Sequence, residues 1–155
     1  MLNLPEELAV ALEPLFSAIP MEQSMPHLTG AEPKQTALVE EILRNPALAN
    51  RPELAAGLWL YVDDLERSHT VSQTLETKTG SFWHGIMHRR EGDFSNSHYW
   101  FRRAAGHPLL AAQPTLDPGR LIDNVSRADG KDAPELVAGQ REEWQALFQW
   151  CATNS

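Results

Sequence analysis

The chain has 155 residues, of which 42% are hydrophobic and 22% charged, and its formal net charge is −8. That length suits a single domain, residues 1–155, with a real core, and that balance excludes a nucleic-acid backbone or an anionic membrane surface as the main partner, because both reward a basic surface. A lone cysteine, Cys151, rules out an intrachain disulfide framework and a multi-cysteine zinc site; no run reaches the length of a membrane span, and the acidic start MLNLPEELAV lacks the basic flank of a secretory signal, which leaves the cytoplasm as the expected location.

In chain order the pattern is one of helices separated by Pro- and Gly-marked loops. Leu4, Leu8, Ala11, Leu12, Leu15, Phe16 and Ile19 recur at helical spacing, with Asn3 as the expected N-cap and Pro14 placed to kink or split the element. Residues 19–33 carry three prolines and no stripe, and read as loop. A second helix is expected from Pro33 to Arg44, then a long one from Pro52 to Leu75, capped by Asn50 and striped by Leu54, Leu58, Tyr61, Leu65, Ser68, Ser72 and Leu75. Thr79-Gly80-Ser81 reads as a break and cap, followed by a helix from Phe82 to Glu91 that ends at Gly92, since glycine accepts positive φ. Another helix spans Ser95 to Ala105. Residues 106–118 read as loop or short turn, Asp117-Pro118 starts a helix with Leu121, Ile122 and Val125, and a last helix carries Leu136, Val137, Trp144, Leu147, Phe148 and Cys151. The sum is an all-α bundle of about seven helices.

The segment SFWHGIMHRREGDFSNSHYWFRRAAGHP is the least ordinary part of the chain. Residues 80–108 of the chain resemble one tetratricopeptide-type helical hairpin. Gly85 stands where close helix approach needs a small residue, Gly92-Asp93-Phe94 matches the turn, and Ser97, Phe101 and Ala104 follow at small, aromatic and small spacings. His84 and His88 replace the usual inner Leu and Tyr, Pro108 comes one residue early, and no second copy extends the pattern. The longer string is also similar to a family of uncharacterised bacterial and fungal helical proteins that share this order of residues. That resemblance implies a common fold and a shared special region, and it brings no mechanism with it.

His84 and His88 are four apart, so both imidazoles leave one helix face, as a divalent metal requires. His69, Asp64, Glu66 and His98 are the candidates for a third ligand, and the spacing lacks the Glu of a zinc-protease His-Glu-x-x-His. The alternative is a pair of buried histidines held by hydrogen bonds. Asp64, His69 and Gln73 lie near one side of the long helix, where His69 meets His84 or His88 for acid–base work or as a polar layer. Within Arg89-Arg90 and Arg102-Arg103, adjacent side chains diverge by about 100°. One of each pair can therefore turn inward, to clamp an anion or to pair with Glu91 or Asp93. Trp83, Tyr99, Trp100 and Phe101 read as core aromatics, one or two of them at a pocket rim. No phosphate loop, dinucleotide fingerprint, nucleophile elbow or paired-carboxylate motif is present.

Three functions follow from these residues. The leading one is a pocket formed by His69, His84, His88, Arg89, Arg90 and Arg102 that binds a small polar or anionic ligand, with or without chemistry, because burying titratable groups where a hairpin buries Leu and Tyr costs stability unless they are partnered, and a site in use explains that cost. A second is a protein-interaction module built on the hairpin. A third narrows the first to a divalent-metal centre on His69, His84 and His88. The expectation common to the first and third is that these three rings converge between the long helix and the hairpin.

Overall fold

The computed structural model describes residues 2–154, and among them there is no strand. The elements are α1 (Glu6–Ala18), a 3-10 turn (Met21–Gln23), α2 (Thr36–Ile42), α3 (Pro52–Tyr61), α4 (Leu65–Ser72), α5 (Lys78–Arg90), α6 (Phe94–Arg103), α7 (Pro108–Ala112), α8 (Pro118–Ala128) and α9 (Pro134–Asn154). The all-α class is as expected; the count is nine α-helices among the described residues, not about seven.

Both additional helices have local causes. The stripe from Leu54 to Leu75 is continuous in sequence, but the helix breaks at Val62-Asp63-Asp64. Asp63 takes the left-handed conformation (φ 64°), which short polar side chains tolerate better than most. Asp64 then caps α4 by accepting a hydrogen bond from the Arg67 backbone N–H at 3.1 Å. The other addition is α7, inside the proline-rich loop, where His107 caps the helix by accepting from Leu109 N–H at 3.1 Å.

Other boundaries also moved. Pro5, not Asn3, holds the N-cap position of α1, and the helix runs unbroken through Pro14. Arg51 rather than Asn50 precedes α3. Thr79-Gly80-Ser81 lies within α5, whose true cap is Thr77, its hydroxyl accepting from Gly80 N–H at 3.0 Å. Gly80 is there for space rather than as a breaker: a Cβ would sit 2.2 Å from the Leu75 carbonyl oxygen.

Helix α5 runs through the middle of the molecule. Every residue from Gly80 to Arg90 is buried, and α3, α4 and α6 pack against it. Phe82, Trp83, Ile86 and Met87 join Leu8, Leu12, Leu15, Leu58, Tyr61, Trp144, Leu147 and Phe148 in one core that draws on α1, α3, α5 and α9. The α5–α6 approach depends on Gly85, as expected, since a Cβ there would lie 2.8 Å from the Phe101 ring. Ser97 fastens the same crossing by donating to the Gly85 carbonyl at 2.7 Å. Gly92 closes α5 with φ at +85°, and Asp93 caps α6 by accepting from Asn96 N–H. On the other flank, Ser68 donates to the Ala56 carbonyl at 2.9 Å and ties α4 back onto α3. These fastenings fix the position of α4 and α6 on either side of the polar face of α5.

Candidate functional site

The three histidines converge. His84 and His88 project from α5 with ring centroids 4.8 Å apart, and His69 reaches them from α4 at 4.7 Å from His84 and 5.5 Å from His88. One ring nitrogen from each lies within 4.8 Å of the other two. His84 and His88 are buried and His69 is partly exposed, so the cluster opens on the α4 side.

Each ring has a different environment. The His88 Nδ1 is 2.6 Å from Glu91 Oε1. A carboxylate there accepts a hydrogen bond from Nδ1–H, which leaves Nε2 of a neutral His88 with its lone pair for another partner. His84 lies flat against Trp100, with centroids 3.8 Å apart and planes 10° from parallel. Its Nδ1 is fully buried with no hydrogen-bond partner, an uncommon state for a ring nitrogen in a folded protein. Burial, followed by the neighbouring His88 and His69, lowers the His84 pKa to about 4, so this ring is neutral at pH 7. The His69 ring packs edge-on against both others.

The other three histidines are conventionally partnered. His107 sits 2.9 Å from the Thr79 hydroxyl while capping α7, His98 pairs with Asp123 at 2.9 Å, and His27 pairs with Asp132 at 2.7 Å. His98 is therefore not the third ligand. Neither is Asp64, which caps α4, nor Glu66, which is exposed.

The arginines expected at the pocket are placed elsewhere. Arg89 and Arg90 both turn inward, 0% and 1% exposed, rather than one in and one out. Arg89 pairs with Glu143 of α9 at 2.6 Å and reaches Gln140 at 3.5 Å. Arg90 donates to the Leu60 carbonyl at 2.7 Å and forms an ion pair with Asp63. Burial lowers the Arg90 pKa and Asp63 opposes that shift. Their partners are thus neither Glu91, which serves His88, nor Asp93, which caps α6. Arg102 is exposed on α6 and does not join the cluster.

Two contributors escaped the sequence reading. Charge alone gives Glu91 to the arginines, although a carboxylate three residues after a helical histidine is a recognisable pairing signal. Trp100 read as a core aromatic, and its stacking on His84 depends on the register between α5 and α6, which spacing does not carry.

Beside the cluster is a cleft of about 320 Å³ whose wall includes Ser72, Ser81 and Trp100. Ser72 lies one turn after His69 and Ser81 one turn before His84, and Trp100 is the ring on which His84 stacks. No family model matches the chain, and no curated protein or solved structure matches it either, so the site is interpreted on its geometry alone.

Proposed function

We propose that this chain binds one divalent transition-metal ion through His69, His84 and His88, and that the ion's remaining coordination position takes a small polar or anionic ligand. The observation that carries this reading is the meeting of three ring nitrogens within 4.8 Å, one ring having a buried nitrogen without any hydrogen-bond partner. Metal–nitrogen distances near 2.0–2.1 Å and tetrahedral angles would set three ligating rings about 5 Å apart, centroid to centroid. The observed separations of 4.7, 4.8 and 5.5 Å fit that value. Imidazole donors suit zinc, copper, nickel and iron, and a donor set of three leaves a position open, as in catalytic rather than closed structural zinc sites. Glu91 supports the reading as the residue that would orient His88. His84, already neutral at pH 7, has no proton to lose on binding.

The interaction-module reading has less support. A tetratricopeptide-type hairpin needs an accessible inner helix face, and α5 is buried from Gly80 to Arg90. The tetratricopeptide-like character of α5–α6 stays part of the proposal as local architecture, supported by the Gly85–Phe101 approach. Kinship with the bacterial and fungal proteins sharing the segment is likewise proposed, on the order of its residues. Residence in the cytoplasm is proposed from the single cysteine, and a role away from nucleic acid from the net charge of −8. No helix among the described residues is long and apolar enough to cross a membrane.

The test is elemental analysis of protein purified without an affinity tag, followed by titration of the stripped protein with Zn²⁺ and Co²⁺. One ion per chain is expected, lost in His84→Asn and His88→Asn. Unchanged binding in the double variant overturns the reading.

A further inference from the structure

We infer that the cleft between the α4–α5 turn and α6 is an oxyanion subsite, holding the phosphate or carboxylate group of the ligand whose polar end reaches the histidine centre. This rests on the proposed metal centre and specifies the ligand that the centre would take.

The volume of about 320 Å³ is at the small end of ligand pockets. Lys78 and Arg103 line it, with Glu76 as the one acidic residue, in a chain whose overall charge is −8. The local sign therefore runs against that of the whole molecule. Among the described residues neither cation forms an ion pair with a carboxylate. The Arg103 guanidinium lies over the Trp100 and Tyr99 rings, 5.5 and 5.9 Å from their centroids, a contact that orients it and leaves its N–H groups for an anion. The Lys78 ammonium sits near Gly106, a residue whose φ of +86° favours glycine.

Other groups add to the two cations. Lys78 is the first residue of α5, so the positive end of that helix faces the same cleft. Ser81 supplies a hydroxyl and Gln73 an amide. Trp100 is shared: it forms a cleft wall and stacks on His84. A molecule with its anionic group at Lys78 and Arg103 is thereby placed beside the indole that His84 stacks on, one ring away from the cluster.

The experiment has two arms. In the first, inorganic phosphate and sodium acetate are titrated calorimetrically into metal-free protein, wild type and the variants Lys78→Gln, Arg103→Gln and Arg102→Gln. All three positions are exposed, so the fold is expected to persist, and circular dichroism checks it. Loss of one charge-assisted contact is expected to weaken the better-bound anion by about tenfold in Lys78→Gln and Arg103→Gln, with no change in Arg102→Gln. The preference between phosphate and acetate tells which oxyanion class the subsite takes. In the second arm, the visible absorption of Co²⁺-loaded protein is followed as that anion is added, and a spectral change that disappears in Lys78→Gln and Arg103→Gln is expected. Equal affinities in wild type, Lys78→Gln and Arg103→Gln, or an equal loss in Arg102→Gln, overturn the subsite, even if Co²⁺ binds. Anion binding that depends on Lys78 and Arg103 in a protein that takes no Co²⁺ keeps the subsite and discards the metal centre.

Discussion

Helix α5 buries two polar faces, and they are built on opposite plans. On one, Arg89 and Arg90 each meet one carboxylate, Glu143 and Asp63, so charge is balanced one to one. On the other, three imidazoles share a single carboxylate, Glu91, and the His84 Nδ1 is left with nothing. Buried ion pairs of the first kind position helices and are expensive to break. A cluster of the second kind has spare lone pairs, whereas the Nε–H groups that Arg89 and Arg90 also leave without a partner can only donate; the histidines outside the cluster, His27, His98 and His107, are each partnered. On the proposed reading that difference divides support from site: the arginines that look like ligand-binding groups in the sequence pair with carboxylates of the scaffold, and the histidines are the groups proposed to bind.

That contrast is open to direct attack. The largest effect is expected on the arginine face. Glu143→Ala leaves the Arg89 charge in the core with only the Gln140 amide oxygen to meet it, and should lower the unfolding free energy in urea by about 3–5 kcal/mol. Zn²⁺ affinity of the folded fraction should not change; a parallel loss of affinity would mean that the two faces are one functional unit. Gly85→Leu comes next. A side chain against the Phe101 ring should cost about 1–3 kcal/mol and lower Tm, while prising Trp100 from His84 and weakening the metal. An unaltered Tm would show that α6 yields easily at this crossing.

Glu91→Gln sharpens the contrast from the histidine side. It should reduce metal affinity on the order of 10–100-fold with little change in the urea midpoint of the metal-free protein. A stability loss as large as that of Glu143→Ala would place Glu91 with the scaffold instead. The smallest effect concerns pH. The His84 pKa falls from 6.5 to about 4 on folding, so between those values the unfolded chain binds more protons than the folded one. Stability should therefore decline as pH drops from about 6.5 toward about 4, and His84→Asn should flatten that slope. Identical pH profiles for the two proteins would mean that the folded His84 titrates normally.

How much of this was legible in the sequence depended on distance along the chain. The shared face of His84 and His88, the small residue required at Gly85 and the positive φ at Gly92 are all local, and all were readable. The Asp117 cap of α8 belongs with them. The partners of the arginines were not, because Asp63 and Glu143 lie 27 and 54 residues away and helical spacing says nothing about them. With no visible distant partner, charge logic gave Arg89 and Arg90 the nearest acids and so took Glu91 from His88. The break at Asp63-Asp64 was hidden for a related reason: the apolar stripe continues across it, while the adjacent Asp pair, one tolerant of left-handed backbone and one a good cap, is the overriding signal.

The same separations set an order of events during synthesis. His69, His84, His88, Glu91 and Trp100 all come from α4 to α6, so their encounter closes only short loops and belongs among the fast, low-contact-order steps of folding. Arg89 must wait for Glu143, 54 residues further on. A chain still growing on the ribosome can thus gather its histidines before α9 exists to neutralise the guanidinium beside them. Until that last long helix docks, α5 carries an unpaired charge on the side destined for the interior, and the half-made protein has a reason to stay open where the finished one is fully buried.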